Sequence, residues 1–253
     1  MKYSLSGEKI LVTGVSRSHG MGRAIVKTLS EAGALVAAHG YGAYDQAMGY
    51  DDAHTASDPF GQPNVCSLPP SDLSAAGEAE RAVEEGAQLL GGLTGLVLNH
   101  AHSTHCPMGQ WDAEHIDKHF QVNVRASMLM IQRFADLAPH GCITLFTSGQ
   151  YLGPMTDEIA YAVSKEAIRC LTVQAAAALA PQRIRVNCVN PGPNDTGYMT
   201  GPAYEKAKEM FPFGRWGKPE DAAKLVCFLH SDQADWITGQ TIASEGGFNR
   251  FQG

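Results

Sequence analysis

The chain lacks long apolar runs and has few charges, and each absence excludes a class of protein. No stretch approaches the roughly eighteen apolar residues of a membrane span. The first residues, Met1 to Lys9, lead straight into a strand-like run without the apolar core of a signal peptide, so we expect a cytoplasmic protein. Charged residues make up 18% of the chain and the formal net charge is −7, which disfavours a nucleic acid or an anionic membrane as partner.

A disulfide framework and internal repeats are also missing. The six cysteines are scattered, and several lie inside apolar runs, so we expect reduced core residues. They are Cys66, Cys106, Cys142, Cys170, Cys188 and Cys227. With 253 residues, 44% of them hydrophobic, the chain is long enough for one large α/β domain that spans residues 1–253.

The first motif is a glycine-rich turn between a strand and a helix. An apolar run from Lys9 ends at Gly14, a turn follows to Gly22, and Arg23–Ala32 continues with helical spacing. This order is typical of a dinucleotide site, in which glycines let the backbone approach a pyrophosphate and the helix N-terminus offers free N–H groups. The candidate cofactor contacts of this turn are Gly14, Ser16, Arg17, Gly20, Met21 and Gly22.

The second motif follows an apolar run that ends at Phe146. The chain breaks at Ser148 and restarts as an alanine-rich helix on which Tyr161 and Lys165 lie four residues apart, on one face. An ammonium beside a phenol favours the phenolate, which suits a general acid or base for carbonyl chemistry. A Tyr-x-x-x-Lys pair by itself is common on helix surfaces, so it becomes informative only in combination with Ser148 and the glycine turn.

In combination, these motifs resemble the short-chain dehydrogenase/reductase family, especially its 3-oxoacyl-acyl-carrier-protein reductases. The family places a serine thirteen residues before Tyr-x-x-x-Lys, as Ser148 stands to Tyr161. The resemblance implies that Ser148, Tyr161 and Lys165 are catalytic, that Lys165 also binds the nicotinamide ribose, and that Asn123 kinks its helix and completes a proton relay. It implies a single-domain Rossmann-type fold, a doubly wound seven-stranded parallel sheet of order 3-2-1-4-5-6-7 flanked by helices.

The resemblance also assigns cofactor contacts beyond the glycine turn. These are Asp72, Leu73, Asn99, Ala101, Tyr161, Lys165, Pro191, Gly192 and Thr196. Asp72 could equally cap the helix predicted for 74–90. The chain departs from the family in the connection 42–64, in the glycine turn and after the fourth strand. Five residues separate Gly14 from Gly20 where the family has three, and His100 and His102 replace an asparagine and a glycine. Residues 194–214 are expected to form a substrate lid.

The expected cofactor is NADP, with NAD as the less favoured choice. The region after the second strand, His39 to Tyr41, carries no carboxylate that would repel a 2′-phosphate, and Arg17 could pair with one. The alternative for Arg17 is a solvated turn residue. The long connection 42–64 carries no motif, and a surface elaboration is favoured over an interface element or part of a lid.

A metal site is not expected, although histidines are concentrated in one region. They are His100, His102, His105, His115 and His119, with Cys106 among them. His115 and His119 belong to a helix predicted for 111–137 that need not face the loop of the others, and no Cys-x-x-Cys pair supports zinc.

We therefore expect an enzyme that transfers a hydride between NADP and a small carbonyl or alcohol. Two alternatives stay open, a redox-neutral enzyme on the same scaffold and a non-catalytic dinucleotide sensor. The helices predicted for 111–137 and 158–179 correspond to those that pair in family oligomers, so a homotetramer or homodimer is expected.

Overall fold

Seven strands form one parallel sheet. The computed structural model describes residues 3–50, 60–197 and 201–248. The sheet order is β3-β2-β1-β4-β5-β6-β7, and every neighbouring pair is parallel. The strands are β1 Lys9–Val12, β2 Leu35–Ala38, β3 Val65–Ser67, β4 Gly95–Leu98, β5 Gly141–Phe146, β6 Ile184–Asn190 and β7 Thr241–Ala243.

Helices cover both faces of the sheet, which is why its central strands are almost continuously apolar. The helices are α1 Met21–Glu31, α2 Gly42–Ala47, α3 Glu78–Leu90, α4 Ala113–His119, α5 Ala126–Leu137, α6 Ile159–Leu179, α7 Gly201–Lys208 and α8 Pro219–Leu229. The side chain of Leu11 joins the core beneath α3, α5 and α6, whereas its neighbours Ile10 and Val12 join the core beneath α1 and α8, as the alternation of a strand requires.

The helix predicted for 111–137 contains a change of winding. Residues Phe120–Arg125 form a π-helical segment that joins α4 to α5, and Asn123 lies within it. Such segments place one extra residue in a turn and are frequent at functional sites. The distortion at Asn123 that the family resemblance implies is therefore present, as a π-helical turn.

The predicted fold class and strand order are confirmed, and the differences lie at the ends of elements. The helix predicted to begin at Ser74 begins at Glu78, with Gly77 in a left-handed conformation before it. Asp72 therefore does not cap that helix. Its Oδ1 accepts hydrogen bonds from the amide (2.9 Å) and the hydroxyl (2.7 Å) of Ser74, which closes a local turn.

The structure also bears on the expectations for membrane spans and for disulfides. None of the helices in the described ranges is long and apolar enough to cross a membrane. All six cysteines carry free thiols, and Cys142, Cys188 and Cys227 are buried in the core.

Candidate active site

A cavity of about 290 Å³ opens at the carboxyl ends of the strands, beside the glycine turn. In a doubly wound sheet this edge holds the ligand crevice, where the strand order reverses between β1 and β4. The cavity brings together most of the cofactor contacts expected from the sequence. They are Gly14, Ser16, Arg17, Gly20, Met21, Gly22, Asp72, Leu73, Asn99, Ala101 and Thr196.

The glycines of the turn are required by close backbone packing. A Cβ on Gly22 would lie 2.2 Å from the carbonyl oxygen of Gly14, and one on Gly14 would lie 2.8 Å from the Cα of His100. Gly20 precedes α1 and supplies no capping side chain, which leaves the first N–H groups of the helix for an anion. The two extra residues of the turn are thus accommodated without loss of the helix N-terminus at the cavity.

Asn99 carries a buried acceptor that suits a ligand. Its amide nitrogen donates to the carbonyl of Gly14 at 2.9 Å, whereas its Oδ1 has no hydrogen-bond partner among the described residues. A buried oxygen of this kind is costly unless a donor satisfies it, and a sugar hydroxyl in the cavity would do so. The residues present therefore fit a dinucleotide.

A carboxylate does lie beside the glycine turn, contrary to the expectation from His39 to Tyr41. Asp45, in the first turn of α2, lines the cavity and accepts a hydrogen bond from the hydroxyl of Ser16. Tyr44 lines the same wall. The prediction of a surface elaboration for 42–64 is thus wrong for α2, and residues 51–59 lie outside the described ranges.

Arg17 connects the two sides of the cavity. Its Nη2 donates to the carbonyl of Thr196 at 2.6 Å, and its guanidinium carbon lies 3.8 Å from the centre of the Tyr50 ring. It is therefore not a solvated turn residue. The contact joins the glycine turn to the segment that follows β6.

The helix α6 is fixed to the end of β5 by Lys165. Lys165 is 4% exposed, and its Nζ donates to the carbonyl of Phe146 at 3.0 Å, two residues before Ser148. The same Nζ lies 5.6 Å from the centre of the Tyr161 ring. Burial lowers the pKa of Lys165 to about 8, so the ammonium persists at neutral pH but is easily deprotonated above it.

Asn123 connects the loop after β4 to α6. Its Oδ1 accepts from the backbone N–H of His102 at 2.7 Å, and its Nδ2 donates to the carbonyl of His102 and to Ser164 Oγ, both at 2.9 Å. Ser164 in turn donates to the carbonyl of Tyr161 at 2.7 Å. Both amide hydrogens of Asn123 are used within the protein, so its side chain positions the loop and the helix that carries Tyr161.

The buried side chain of His100 forms hydrogen bonds to two different parts of the chain. Its Nε2 lies 3.1 Å from the carbonyl of Val122 and must carry the proton there, while Nδ1 lies 2.7 Å from Thr13 Oγ1 and accepts. Burial lowers the pKa of His100 to about 3, so the ring is neutral. It connects β1 to the π-helical segment.

The helix that carries His115 and His119, which need not have faced the loop of the other histidines, does face it. The His119 ring centre lies 4.6 Å from those of His102 and His115. Burial lowers the pKa of His102 to about 4, and it also lowers the pKa of His119. Across 3–50, 60–197 and 201–248, no group of three or more histidine, cysteine, aspartate or glutamate side chains is placed to hold a metal ion. The prediction that no metal is bound remains to be tested by elemental analysis.

Some predicted residues lie outside the lining of the cavity. Ser148, Tyr161 and Lys165 lie at the end of β5 and on α6, and Pro191 and Gly192 follow β6. A Cβ on Gly192 would lie 2.5 Å from Glu245, which explains the glycine there. Within the predicted lid, α7 is anchored because Trp216 Nε1 donates to the carbonyl of Tyr204, and residues 198–200 lie outside the described ranges.

Sequence reasoning missed several side chains of the cavity. They are His39, Tyr41, Tyr44, Ser71, Lys118 and Val122. Lys118 donates a hydrogen bond to the predicted contact Asp72 at 2.8 Å. This ion pair depends on how α4 packs, which the sequence does not show. For Tyr44 the sequence offers no clear signal, because α2 has only six residues.

The comparisons with known proteins agree with this geometry. A family model described as "Enoyl-(Acyl carrier protein) reductase" matches residues 14–249. The uncharacterized oxidoreductase YjdA of Bacillus subtilis is 43% identical over 190 residues, 73% of this chain and 76% of the relative. The L-xylulose reductase of Caenorhabditis elegans is 30% identical over 259 residues, 98% of each chain.

Solved structures show the same architecture over the whole chain. A short-chain dehydrogenase/reductase of Serratia marcescens is 32% identical with a TM-score of 0.82, covering 98% of this chain and 100% of the other. A short-chain dehydrogenase of Burkholderia cenocepacia in complex with NADP is 29% identical with a TM-score of 0.84, covering 97% and 99%. With its sheet order, its glycine turn and these relatives, the chain belongs to the short-chain dehydrogenase/reductase family of oxidoreductases.

Proposed function

We propose that this protein is an NADP-dependent oxidoreductase that interconverts a small carbonyl compound and its secondary alcohol. The observation that carries the proposal is the position of Lys165. Its buried ammonium is held by the carbonyl of Phe146 at the end of β5, 5.6 Å from the Tyr161 ring, next to the strand end that carries Ser148. A buried charge with a lowered pKa, beside a cleft, is the arrangement of a functional site.

Each protein group has a separate task in the reductive direction. Bound NADPH would supply the hydride to the carbonyl carbon. Tyr161 donates its phenolic proton to the carbonyl oxygen, which completes the alcohol, and Ser148 donates a hydrogen bond to the same oxygen. The ammonium of Lys165 stabilises the phenolate that remains on Tyr161. Asn123 acts as a positioning residue, because it holds the loop at His102 and, through Ser164, the turn of α6 that contains Tyr161.

Different residues along the cleft would bind different parts of the cofactor. The glycine turn and the N-terminus of α1 suit the pyrophosphate, and the unsatisfied Oδ1 of Asn99 suits a ribose hydroxyl. Lys165 would hold the nicotinamide ribose. Pro191, Gly192 and Thr196 follow β6 and would face the nicotinamide.

The preference for NADP rests on a competition between Arg17 and Asp45. A guanidinium favours a 2′-phosphate, whereas a carboxylate repels it. Asp45 already accepts a hydrogen bond from Ser16, which occupies part of the carboxylate, and Arg17 lies across the mouth of the same cavity. A related angucycline C-6 ketoreductase, LanV, was solved with bound NADP, as was the Burkholderia protein. We therefore favour NADP over NAD.

We also propose a homotetramer or homodimer. The long helices α5 and α6 leave apolar side chains in solvent, with Met128 52%, Val163 51% and Val173 52% exposed. Apolar side chains at such density on neighbouring helices are typical of a face that packs against another subunit.

The test is an absorbance assay at the NADPH band with a panel of ketones, β-ketoesters and quinones, run in parallel with NADH. The proposal requires consumption of NADPH with at least one carbonyl class and loss of that activity in Tyr161→Phe. Dinucleotide that copurifies with the protein but is never consumed by any substrate class would instead support a redox-neutral reaction.

A further inference from the structure

The side chain of Asn190, the last residue of β6, connects three separate segments at the carboxyl edge of the sheet. Its Nδ2 donates to the hydroxyl of Tyr151 at 2.9 Å and to the carboxylate of Glu245 at 2.7 Å. Its Oδ1 accepts from the backbone N–H of Gly192 at 3.0 Å. Asn190 is completely buried and Glu245 is 5% exposed, so these bonds form away from water. Both amide hydrogens of Asn190 are therefore used within the protein.

Glu245 decides which end of the Asn190 amide points towards Gly192. An ionised carboxylate accepts hydrogen bonds and cannot donate them, so it selects the NH₂ end of the amide. The amide oxygen is then left for the N–H of Gly192, as the structure shows. A hydrogen bond to a carboxylate is also about twice as strong as one between neutral groups, which favours this orientation over the reverse.

The turn of Pro191 and Gly192 is held on its other side by Asn194. The Nδ2 of Asn194 donates to the carbonyl of Pro191 at 2.9 Å and to the carbonyl of Gly192 at 3.0 Å. Gly192 has a positive φ of 61°, and a Cβ at that position would lie 2.5 Å from the Cβ of Glu245. The position of the turn therefore depends on Glu245 in two ways, through direct packing and through the bond to Asn190.

Asn190 also connects this turn to the segment that carries Ser148. Tyr151 lies three residues after Ser148, and the centre of its ring lies 4.3 Å from the guanidinium carbon of Arg169 on α6. The N–H of Ser148 donates to the Oε1 of Gln150 at 3.2 Å. Since β5 and β6 are neighbours in the sheet, the serine and the turn follow adjacent strand ends. The bond from Asn190 to Tyr151 therefore fixes one segment relative to the other.

We propose that Glu245 is a positioning residue for hydride transfer, because through Asn190 it sets the Pro191–Gly192 turn relative to Ser148. This inference rests on the proposed function, in which the turn faces the nicotinamide and Ser148 contacts the carbonyl oxygen. Glu245 itself touches neither. A displacement of about 1 Å at a reacting centre can cost about a hundredfold in rate. The glycine turn and the N-terminus of α1 bind the pyrophosphate in the proposed function, so the affinity for the dinucleotide should depend little on Glu245.

The first measurement needs neither cofactor nor substrate. Gly192 lies between Pro191 and Pro193, which have no backbone N–H, so the stretch 191–193 carries a single exchangeable amide. Its exchange is followed by hydrogen-exchange mass spectrometry in the unmodified protein and in Glu245→Met, which keeps the length of the side chain but cannot accept the bond from Asn190. The amide of Gly192 should exchange at least about tenfold faster in Glu245→Met, because the oxygen that accepts its hydrogen is no longer held in place.

The second measurement separates binding from chemistry. With an active carbonyl substrate, the kcat of Glu245→Met should fall by about ten- to a hundredfold, while the Kd for NADPH from titration calorimetry stays within about threefold. Glu245→Gln keeps the packing but can turn either end of its amide towards Asn190, so it should show both effects, the faster exchange and the lower kcat, at a smaller size. Should Glu245→Met fail to fold, Glu245→Gln decides the question.

Asn187→Ala is the matched control for Asn190→Ala. Both asparagines lie on β6 and are completely buried. The Nδ2 of Asn187 donates to the carbonyl of Ile237 at 2.8 Å, and its Oδ1 accepts from the N–H of Gln240 at 3.1 Å, so it joins β6 to the chain before β7. Both substitutions should lower the free energy of unfolding, but only Asn190→Ala should speed exchange at Gly192 and lower kcat.

Three outcomes would overturn the inference. The first is an unchanged exchange rate of Gly192 in the Glu245 variants. The second is faster exchange with an unchanged kcat, which would mean that the position of the turn does not govern the reaction. The third is an equal loss of kcat in Asn187→Ala, which would indicate general loosening of β6. All three leave the proposed function intact, whereas an unmodified protein that consumes no NADPH with any carbonyl class would remove the proposed function and this inference with it.

Discussion

Replacing Lys165 with methionine should lower the activity of this protein without lowering its stability. Burial lowers the pKa of Lys165 from 10.5 to about 8, a difference of roughly two and a half units. At about 1.4 kcal/mol per unit, the buried ammonium costs the folded state about 3 kcal/mol at neutral pH. Methionine has a similar length and no charge to desolvate. Its loss is the hydrogen bond to the carbonyl of Phe146, worth about 1.5–3 kcal/mol for a charged donor.

The two terms oppose each other, and the burial term is the larger. We expect the free energy of unfolding of Lys165→Met at pH 7 to be unchanged or higher by up to about 2 kcal/mol, measured by urea denaturation. The kcat should fall by at least about a hundredfold, because the group that stabilises the phenolate is gone. Lys224→Met is the control, since Lys224 is exposed on α8 and its replacement should change neither quantity appreciably.

The same reasoning fixes a pH dependence. Below about pH 8 the lysine is protonated in both the folded and the unfolded state, so the burial cost is present in full. As pH rises from about 8 towards 10.5, the folded state loses its proton first, and the unmodified protein gains stability relative to Lys165→Met. Activity that needs the ammonium should decline over the same range. A Lys165→Met protein that is less stable by more than about 2 kcal/mol at pH 7, or one that keeps its kcat, would refute the reasoning.

Three further predictions concern the cofactor and the assembly. Arg17→Ala should reduce the ratio of kcat/KM for NADPH to kcat/KM for NADH by about ten- to a hundredfold, mainly because KM for NADPH rises. Equal use of NADPH and NADH by the unmodified enzyme would contradict this prediction and would point to Asp45 as a ribose ligand. Gly22→Ala should weaken dinucleotide binding more than tenfold in a fluorescence titration, since its Cβ would lie 2.2 Å from the carbonyl oxygen of Gly14. Gly86→Ala is the control and should leave binding unchanged, because its Cβ would meet only side-chain atoms of Leu11, at 3.4 Å or more. Light scattering at micromolar concentration should give a tetramer or a dimer, and a clean monomer would contradict the proposed interface.

The fold was predictable because the sequence features that indicate it are either local patterns of apolar residues or motifs of the family. The apolar runs at β1 and β4 and the helical spacing of α6 depend on near neighbours in sequence. The order of the sheet came from the resemblance to a known family, and the structure confirms it. The helix distortion at Asn123 was expected by the same route, whereas the two contacts of its side chain with His102 were not foreseen.

The side chains that were missed depend on contacts between distant parts of the chain. Tyr44 meets Ser103 only because α2 passes beside the end of β1, a path that no spacing in 42–50 predicts. From the sequence, Asp45 was offered only as an alternative ribose ligand in case NADH is preferred, because it comes after the strand end, within a helix of six residues that is too short to give a clear periodic signal. Likewise, the facing of His119 towards His102 depends on how α4 is rotated, which sequence spacing does not determine.

The central claim, that Tyr161 delivers the proton to the substrate oxygen, is tested most directly by Tyr161→Phe. The substitution keeps the ring and removes the hydroxyl. With an active carbonyl substrate, kcat should fall by at least about 10²–10⁴-fold while the Kd for NADPH stays within about twofold. Retention of most of the activity by a Tyr161→Phe protein that still binds NADPH would contradict the account.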